Sequence, residues 1–323
     1  MKRVVLFPVS GYINRLQAVA SAALMAKELG WQFLIAWEPQ QVAAAPANAL
    51  FSETFCRDFV RSEVEIAEML GIHKEEIPRY LTINEVAGLI TLAGHERGEQ
   101  IFMPELSTAL HQNPGIQTLA LIAGGHFGFT DTNLSIPEQE ASLRPNRGSW
   151  YRSLQLRSDI EQRVLVERAA HPSYLALHLR YTDRSHQVPS KKYISQALET
   201  LASRTVTRSL FIASDTAASR DEWAARSEAM GFEPWCVEHT VWDRSDERSA
   251  HPALIDWRIL GGSEAMVYFE ESSFAYEAAV ATGSFDHSIG LSPSRFSGVQ
   301  AGVTRSITAA LTYPKRHGWM KST

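Results

Sequence analysis

Cysteine is almost missing: Cys56 and Cys236 are the only two in 323 residues. They lie far apart and outside any CxxC spacing, which excludes a CxxC metal or redox site and fits a reducing, cytoplasmic compartment. Both are expected to be small core residues. Long apolar runs are missing as well. No stretch approaches the ~20 residues that a membrane span needs, and the run in MKRVVLFPVSG is too short for a secretory leader, so it reads as a first strand. Positive charge is not in excess, because 31 Lys and Arg stand against 36 Asp and Glu for a net charge of -5. A generalised affinity for nucleic acid is thereby excluded, and any anion must be held locally. Neither GxGxxG nor GK[ST] occurs, which removes the dinucleotide fingerprint and the Walker loop. A DxD pair and metal-ligand spacings of His or Cys are absent too.

What is present is a globular composition, 45% hydrophobic and 21% charged, in a chain long enough for two domains. Val4 to Val9 reads as a buried strand, SGYIN as a loop, Asn14 to Leu29 as a helix stopped by Gly30, and QFLIAW as a second strand. That unit winds onto a parallel sheet. Between Gln40 and Gly115 the pattern gives helices near Glu63 to Leu70 and Asn84 to Gly94, and IQTLALIA then returns as a strand. After the loop GGHFGFTDTN, the segment SWYRSLQLRSDIEQRVLVERAA reads as one long helix bridging the two halves. The second half alternates regularly: YLALHLR, SLFIAS, PWCVE and AMVYF are strands. SKKYISQALETLASR, SRDEWAARSEAMG, HPALIDWRILGGS and SSFAYEAAVATG are helices. The fold class is therefore α/β, with doubly wound domains over residues 1–170 and 171–323.

Ligands of such sheets sit beyond the carboxyl ends of the strands, and the polar residues gather there. In LALHLRYTDR, Leu175, Leu177 and Leu179 share one face, which leaves His178 and Arg180 on the other at the strand's end and Asp183 in the turn beyond. Arg180 offers fixed donors to a phosphate, or else pairs with Asp183 across the turn. SGYINR places Gly11 and Asn14 between a strand and a helix, where backbone N–H groups can face an anion. Ser272 and Ser273 stand between a strand and a helix, suited to capping that helix or to bonding a phosphate. Asp256 could pair with Arg258 or present its carboxylate to a base. Asp215 could cap the helix after it.

In order and chemistry these places resemble one family: the fucosyltransferase superfamily that includes the α-1,6-fucosyltransferases, the nodulation fucosyltransferases and the protein O-fucosyltransferases. The resemblance rests on GYINRLQAVASAALMAKELG, the HxRxxD element of His178, Arg180 and Asp183, the strand LFIASD, and LIDWRILGGSEAMVYFEESSFAYEAA. It covers the first forty residues and most of the second half. It implies a GT-B fold, two Rossmann-like domains facing across a cleft, with GDP-fucose as donor substrate and a glycan or glycoconjugate as acceptor. It further implies Arg180 on the β-phosphate, His178 and Asp256 on the guanosine, Ser272 and Ser273 on the phosphates, and Gly11 and Asn14 lining the cleft. Asp215 counts among the donor-side residues, and the chemistry implied is inverting and metal-independent, with no metal and no cofactor beyond the donor substrate, which agrees with the absence of a DxD pair. Two departures stand out. Tyr181 occupies the place of a second arginine, and the run Ser185, His186, Gln187, Val188 lacks the carboxylate found a few residues past the Asp. His186, or Asp131 of the GGHFGFTDTN loop, could then be the proton acceptor. The same departures motivate the alternatives: a nucleotide-sugar binding protein without turnover, or a GT-B enzyme with another donor.

Overall fold

The computed structural model describes residues 1–70, 84–86, 89–93, 114–127, 136–181, 189–243, 245–270 and 272–292. In the first half, β1 (Arg3–Pro8) is followed by α1 (Tyr12–Leu29), β2 (Gln32–Ala36), α2 (Ala47–Leu50), α3 (Glu53–Phe59), β3 (Val60–Arg61), α4 (Glu63–Leu70), β4 (Asn84–Val86), β5 (Leu89–Ala93) and β6 (Thr118–Ala123). These strands form a six-stranded sheet in the order β3-β2-β1-β6-β5-β4, parallel except for β4 against β5. Within the stretch Asn84 to Gly94, expected as a helix, Asn84–Val86 and Leu89–Ala93 are thus strands. Pairing of Leu89 to Ala93 with Thr118 to Ile122 on β6 decides the matter, since so short an apolar run fits either period.

Two helices follow, α5 (Ile136–Ser153) and α6 (Ser158–Ala170), where a single long one was expected. The break has a tertiary cause. Arg258 donates to the carbonyls of Tyr151 and Leu154, closing the end of α5, and Leu156 bridges to Phe51 while the Arg157 N–H donates to Leu50 O at 2.9 Å. The second half then runs β7 (Leu175–Leu179), α7 (Lys191–Ala202), β8 (Ser209–Ser214), α8 (Ala217–Ala229), β9 (Glu233–Trp235), α9 (Ala250–Leu260), β10 (Met266–Phe269), α10 (Ser273–Thr282) and β11 (Ile289–Leu291). Its five-stranded sheet has the order β11-β10-β7-β8-β9, and every pair is parallel. Every element expected in this half is present, and β11 is an addition.

Burial explains why β7 is central. Leu175, Leu177 and Leu179 pack with Ile194, Leu198 and Leu201 of α7 on one face, while Ala176 joins the core on the other, with Trp257, Ala275 and Ala278. That second core is continuous with the first half, reaching Leu16, Val19 and Leu121. The helices α1, α5, α9 and α10 are its shared wall. A close crossing of α5 and α10 depends on Gly148, where a Cβ would lie 2.6 Å from the Val280 carbonyl oxygen. Both cysteines depart from expectation, Cys56 being half-buried and Cys236 exposed.

Candidate active site

Two helices that each start just beyond a strand, α1 and α10, touch at the boundary between the halves. Tyr12 opens α1 directly after β1, and Ser273 opens α10 directly after β10. Neither has a side-chain cap bond or an acidic residue in its first turn. Gln17 of α1 donates to Glu277 of α10 at 2.7 Å. These residues are five and four positions into their helices, so both N-termini lie within about two turns of one shared contact.

The loop after β1 is held under backbone strain. Ser10 has φ of 76°, in the left-handed region that costs a non-glycine residue ~1–3 kcal/mol. Three neighbours fix it. Gln40 Oε1 accepts its N–H at 3.2 Å, its hydroxyl accepts from Asn14 Nδ2 at 2.9 Å, and its carbonyl accepts from Arg15 Nε at 3.0 Å. Asn14 therefore shapes this loop. Gly11, at the N-cap of α1, has ordinary extended backbone, and a Cβ there would meet nothing within 4 Å. Arg15, which the sequence reading passed over, is fully buried. It also donates to Glu38 O at 2.8 Å and lies 4.9 Å from the Trp37 ring, while burial lowers its pKa to about 10.

At the carboxyl end of β7, His178 is buried and stacks on Phe274 of α10 at 5.3 Å and 26°. It thus stands beside the start of α10, as the alternation of β7 requires. Arg180 follows the last strand residue and is half-buried. Asp183, His186 and Asp131 lie outside the described residues. Asp215 does not cap α8; Thr216 does, its hydroxyl accepting the Ser219 N–H at 3.2 Å. Instead, the Asp215 carboxylate accepts the Tyr181 N–H with both oxygens, at 2.9 and 3.1 Å, and so fixes the backbone that leaves Arg180. The Tyr181 hydroxyl accepts from Trp223 Nε1 at 3.1 Å. The side chain at the place of a second arginine is thus turned onto α8.

Ser272 occupies the N-cap position of α10, yet its hydroxyl makes no capping bond. It is 1% exposed, and among the described residues its Oγ has no hydrogen-bond partner. Ser273 is half-buried at the first helical position. Asp256 on α9 is buried and does not pair with Arg258, which turns to Glu161 at 3.0 Å. Its partner is His239, whose Nε2 stands 3.0 Å from Oδ2, while Oδ1 has no hydrogen-bond partner among the described residues. Burial pushes the Asp256 carboxyl above the ordinary aspartate value, against the pull of His239 and Arg220. A buried hydroxyl or carboxylate oxygen left unsatisfied costs ~1–3 kcal/mol. Both atoms lie in the half that holds Arg180, at helices α9 and α10, which pack against each other. Among the described residues no group of three or more His, Cys, Asp and Glu is placed to hold a metal ion.

Behind this edge lies a buried charge network that sequence reasoning missed. Arg147 of α5 donates to Glu140 on the same helix at 2.5 Å and to Glu277 of α10 at 2.8 Å. Tyr151 donates to Glu277 at 2.6 Å, Tyr276 donates to Glu140 at 2.9 Å, and His126 Nε2 stands 3.0 Å from Glu140. The signal was an acid in the middle of FAYEAAV, where a helix is otherwise apolar.

The two sheets share one core, and His178, Arg180, Asp215 and Ser272 stand at the carboxyl ends of strands of the second, an architecture that fits the expected GT-B class. No family model and no curated protein matches the chain. Solved structures do. The NodZ α-1,6-fucosyltransferase soaked with GDP-fucose matches at 16% identity and a TM-score of 0.54, over 87% of this chain and 93% of that one. An arginine-to-lysine variant of FUT1 from Arabidopsis thaliana in complex with GDP matches at 14% and 0.57, over 87% and 69%. POFUT1 in complex with GDP matches at 14% and 0.54, over 90% and 98%. The chain has the fold of these proteins.

Proposed function

We propose that this chain is an inverting, metal-independent glycosyltransferase that moves fucose, or a related sugar, from a GDP donor to a carbohydrate or glycopeptide hydroxyl. The observation that carries the reading is that Asp256 Oδ1 and Ser272 Oγ, both buried, have no hydrogen-bond partner among the described residues, in the half that holds Arg180 and the uncapped start of α10. A nucleoside diphosphate matches this set, with Asp256 and His178 toward the base, and with Arg180, Ser272, Ser273 and the α10 N–H groups toward the phosphates. Gly11 and Asn14 stand across from it at the start of α1. In the reaction the acceptor oxygen bonds to the anomeric carbon on the face opposite the leaving group. The bond to the β-phosphate oxygen breaks with its electron pair passing to the phosphate. Arg180 and the helix N–H groups stabilise that growing charge without a cation. The acceptor proton passes to a base, for which His186 or Asp131 is proposed, with Asp183 completing the element around Arg180. The two free thiols, Cys56 and Cys236, support a cytoplasmic setting. A binding protein without turnover is the second reading, favoured by the side chain of Tyr181 being turned onto Trp223.

Thermal unfolding tests the donor. GDP at ~100 times its dissociation constant adds about 2.7 kcal/mol to the folded state, with or without EDTA, whereas UDP and ADP add much less. Equal protection by all three, or by none, would refute it. Ser272→Ala is expected to leave the unliganded protein as stable as before, or about 1 kcal/mol more so, because an unsatisfied buried hydroxyl is removed. The same variant shrinks the shift that GDP produces.

A further inference from the structure

Asp256 alone does not dictate which base it accepts; its orientation and charge do, and both depend on a residue in the loop after β9. We propose that His239 is a positioning residue for nucleobase selection, holding the Asp256 carboxylate so that Oδ1 faces the adjacent N–H donors of a guanine. The inference rests on the donor reading above and deepens it. The contact is buried on both sides, with side-chain exposures of 10% and 7%, and His239 Nε2 donates to Oδ2 at 3.0 Å. His239 is itself held by stacking on Trp242 at 4.7 Å and 26°. Arg220 of α8 lies 5.6 Å from the other ring, Trp242, so α8, α9 and the loop after β9 converge on this one carboxylate. Oδ2 is occupied by the imidazole, and Oδ1 is the atom left without a partner among the described residues.

The chemistry follows from those two oxygens. An ionised carboxylate only accepts hydrogen bonds. Guanine presents N1–H and the 2-amino group side by side, adenine presents an acceptor at N1, and uracil presents a single N3–H. A buried carboxylate drifts toward its neutral form, in which it donates and would tolerate adenine, and the imidazole N–H on Oδ2 opposes that drift. Rotation of the Asp256 side chain is blocked by the same bond. His239 thereby acts on selectivity without touching the base.

The test compares dissociation constants for GDP, inosine diphosphate and ADP, by calorimetry on the full chain, for wild type, His239→Phe and His239→Gln. Inosine diphosphate lacks only the 2-amino group. Wild type is expected to favour GDP over inosine diphosphate by about 10-fold or more, the worth of one hydrogen bond to a charged group. His239→Phe keeps the stack on Trp242 but has no donor, so the preference falls toward unity and GDP weakens by about 10-fold or more. His239→Gln restores an N–H and recovers most of the ratio. If wild type binds none of the three, the donor reading itself fails. If wild type prefers GDP and His239→Phe keeps that ratio, whether or not all affinities drop together, the positioning role is overturned while the donor reading stands. Should the phenylalanine variant not fold, His239→Gln is compared with His239→Asn, whose amide is one methylene short of Oδ2. A retained ratio in the first and a lost one in the second support the proposal, and equal ratios overturn it.

Discussion

Arg147→Met is expected to destabilise the protein by about 3–5 kcal/mol, because it leaves the carboxylates of Glu140 and Glu277 buried without their cation. All three side chains are at most 2% exposed, so water cannot take over. The bonds cross from α5 to α10 and, through Gln17, to α1, which makes this network part of what joins the two halves. A large fall in the midpoint of chemical denaturation is the readout. Removing the whole charged set, as Arg147→Met with Glu140→Gln and Glu277→Gln, recovers most of the loss, since no bare charge then remains. The same network sets an acid limit. Burial pushes the Glu140 carboxyl up, but Arg147, His126 and the hydrogen bonds outweigh it and hold the pKa at about 2, below the ordinary 4.5. A group whose folded pKa is depressed contributes stability that is complete above its unfolded value. That contribution is lost as pH falls from about 4.5 toward 2. Wild type therefore weakens across this window, and Glu140→Gln flattens its part of the slope.

Arg180→Ala is expected to lower donor turnover by about 10²–10³-fold, the usual loss when one preorganised stabiliser of developing charge is removed. Its folding should change little, because the side chain is half-buried at a strand end and the backbone beyond it is fixed independently by Asp215. Asp215→Ala separates the two effects. It frees the Tyr181 N–H and disturbs Arg180 indirectly, so turnover falls together with thermal stability. Steady-state rates of GDP release, read beside melting midpoints for both variants, check the pair. An Arg180→Ala enzyme with wild-type turnover contradicts the role assigned to that guanidinium.

The second half was legible because its strands are buried on both faces and its helices alternate with them. Leu175, Leu177 and Leu179 against Ala176 and His178 define the faces of β7 without any knowledge of the partners. In the first half the same reasoning failed at residues 84–94, where NEVAGLITLAG carries apolar residues at spacings that serve a helix or two strands. The choice is made by β6, some thirty residues later. The break between α5 and α6 was hidden for a similar reason, since Arg258 supplies it from another helix. Of the candidate site, His178, Arg180 and Asp215 could be read as residues at strand ends, the edge of an open sheet where ligands bind. Asp256 was readable as a carboxylate but not as a partner of His239, which comes from an irregular loop, VEHTVWD, with no period to interpret. Glu277 carried a signal that went unused: a charge amid the alanines of α10 must be paired where it is buried, and its partners are Arg147, Tyr151 and Gln17.

The most direct measurement is to incubate the purified chain with GDP-fucose and follow GDP release, with and without EDTA and with and without a panel of glycan and glycopeptide acceptors. The account predicts GDP release that acceptor accelerates, that EDTA leaves unchanged, and that yields a product of inverted anomeric configuration. Tight binding of GDP-fucose with no release under any of these conditions would contradict it, and the carboxyl edge of the second sheet would then be a nucleotide-sugar binding site without chemistry.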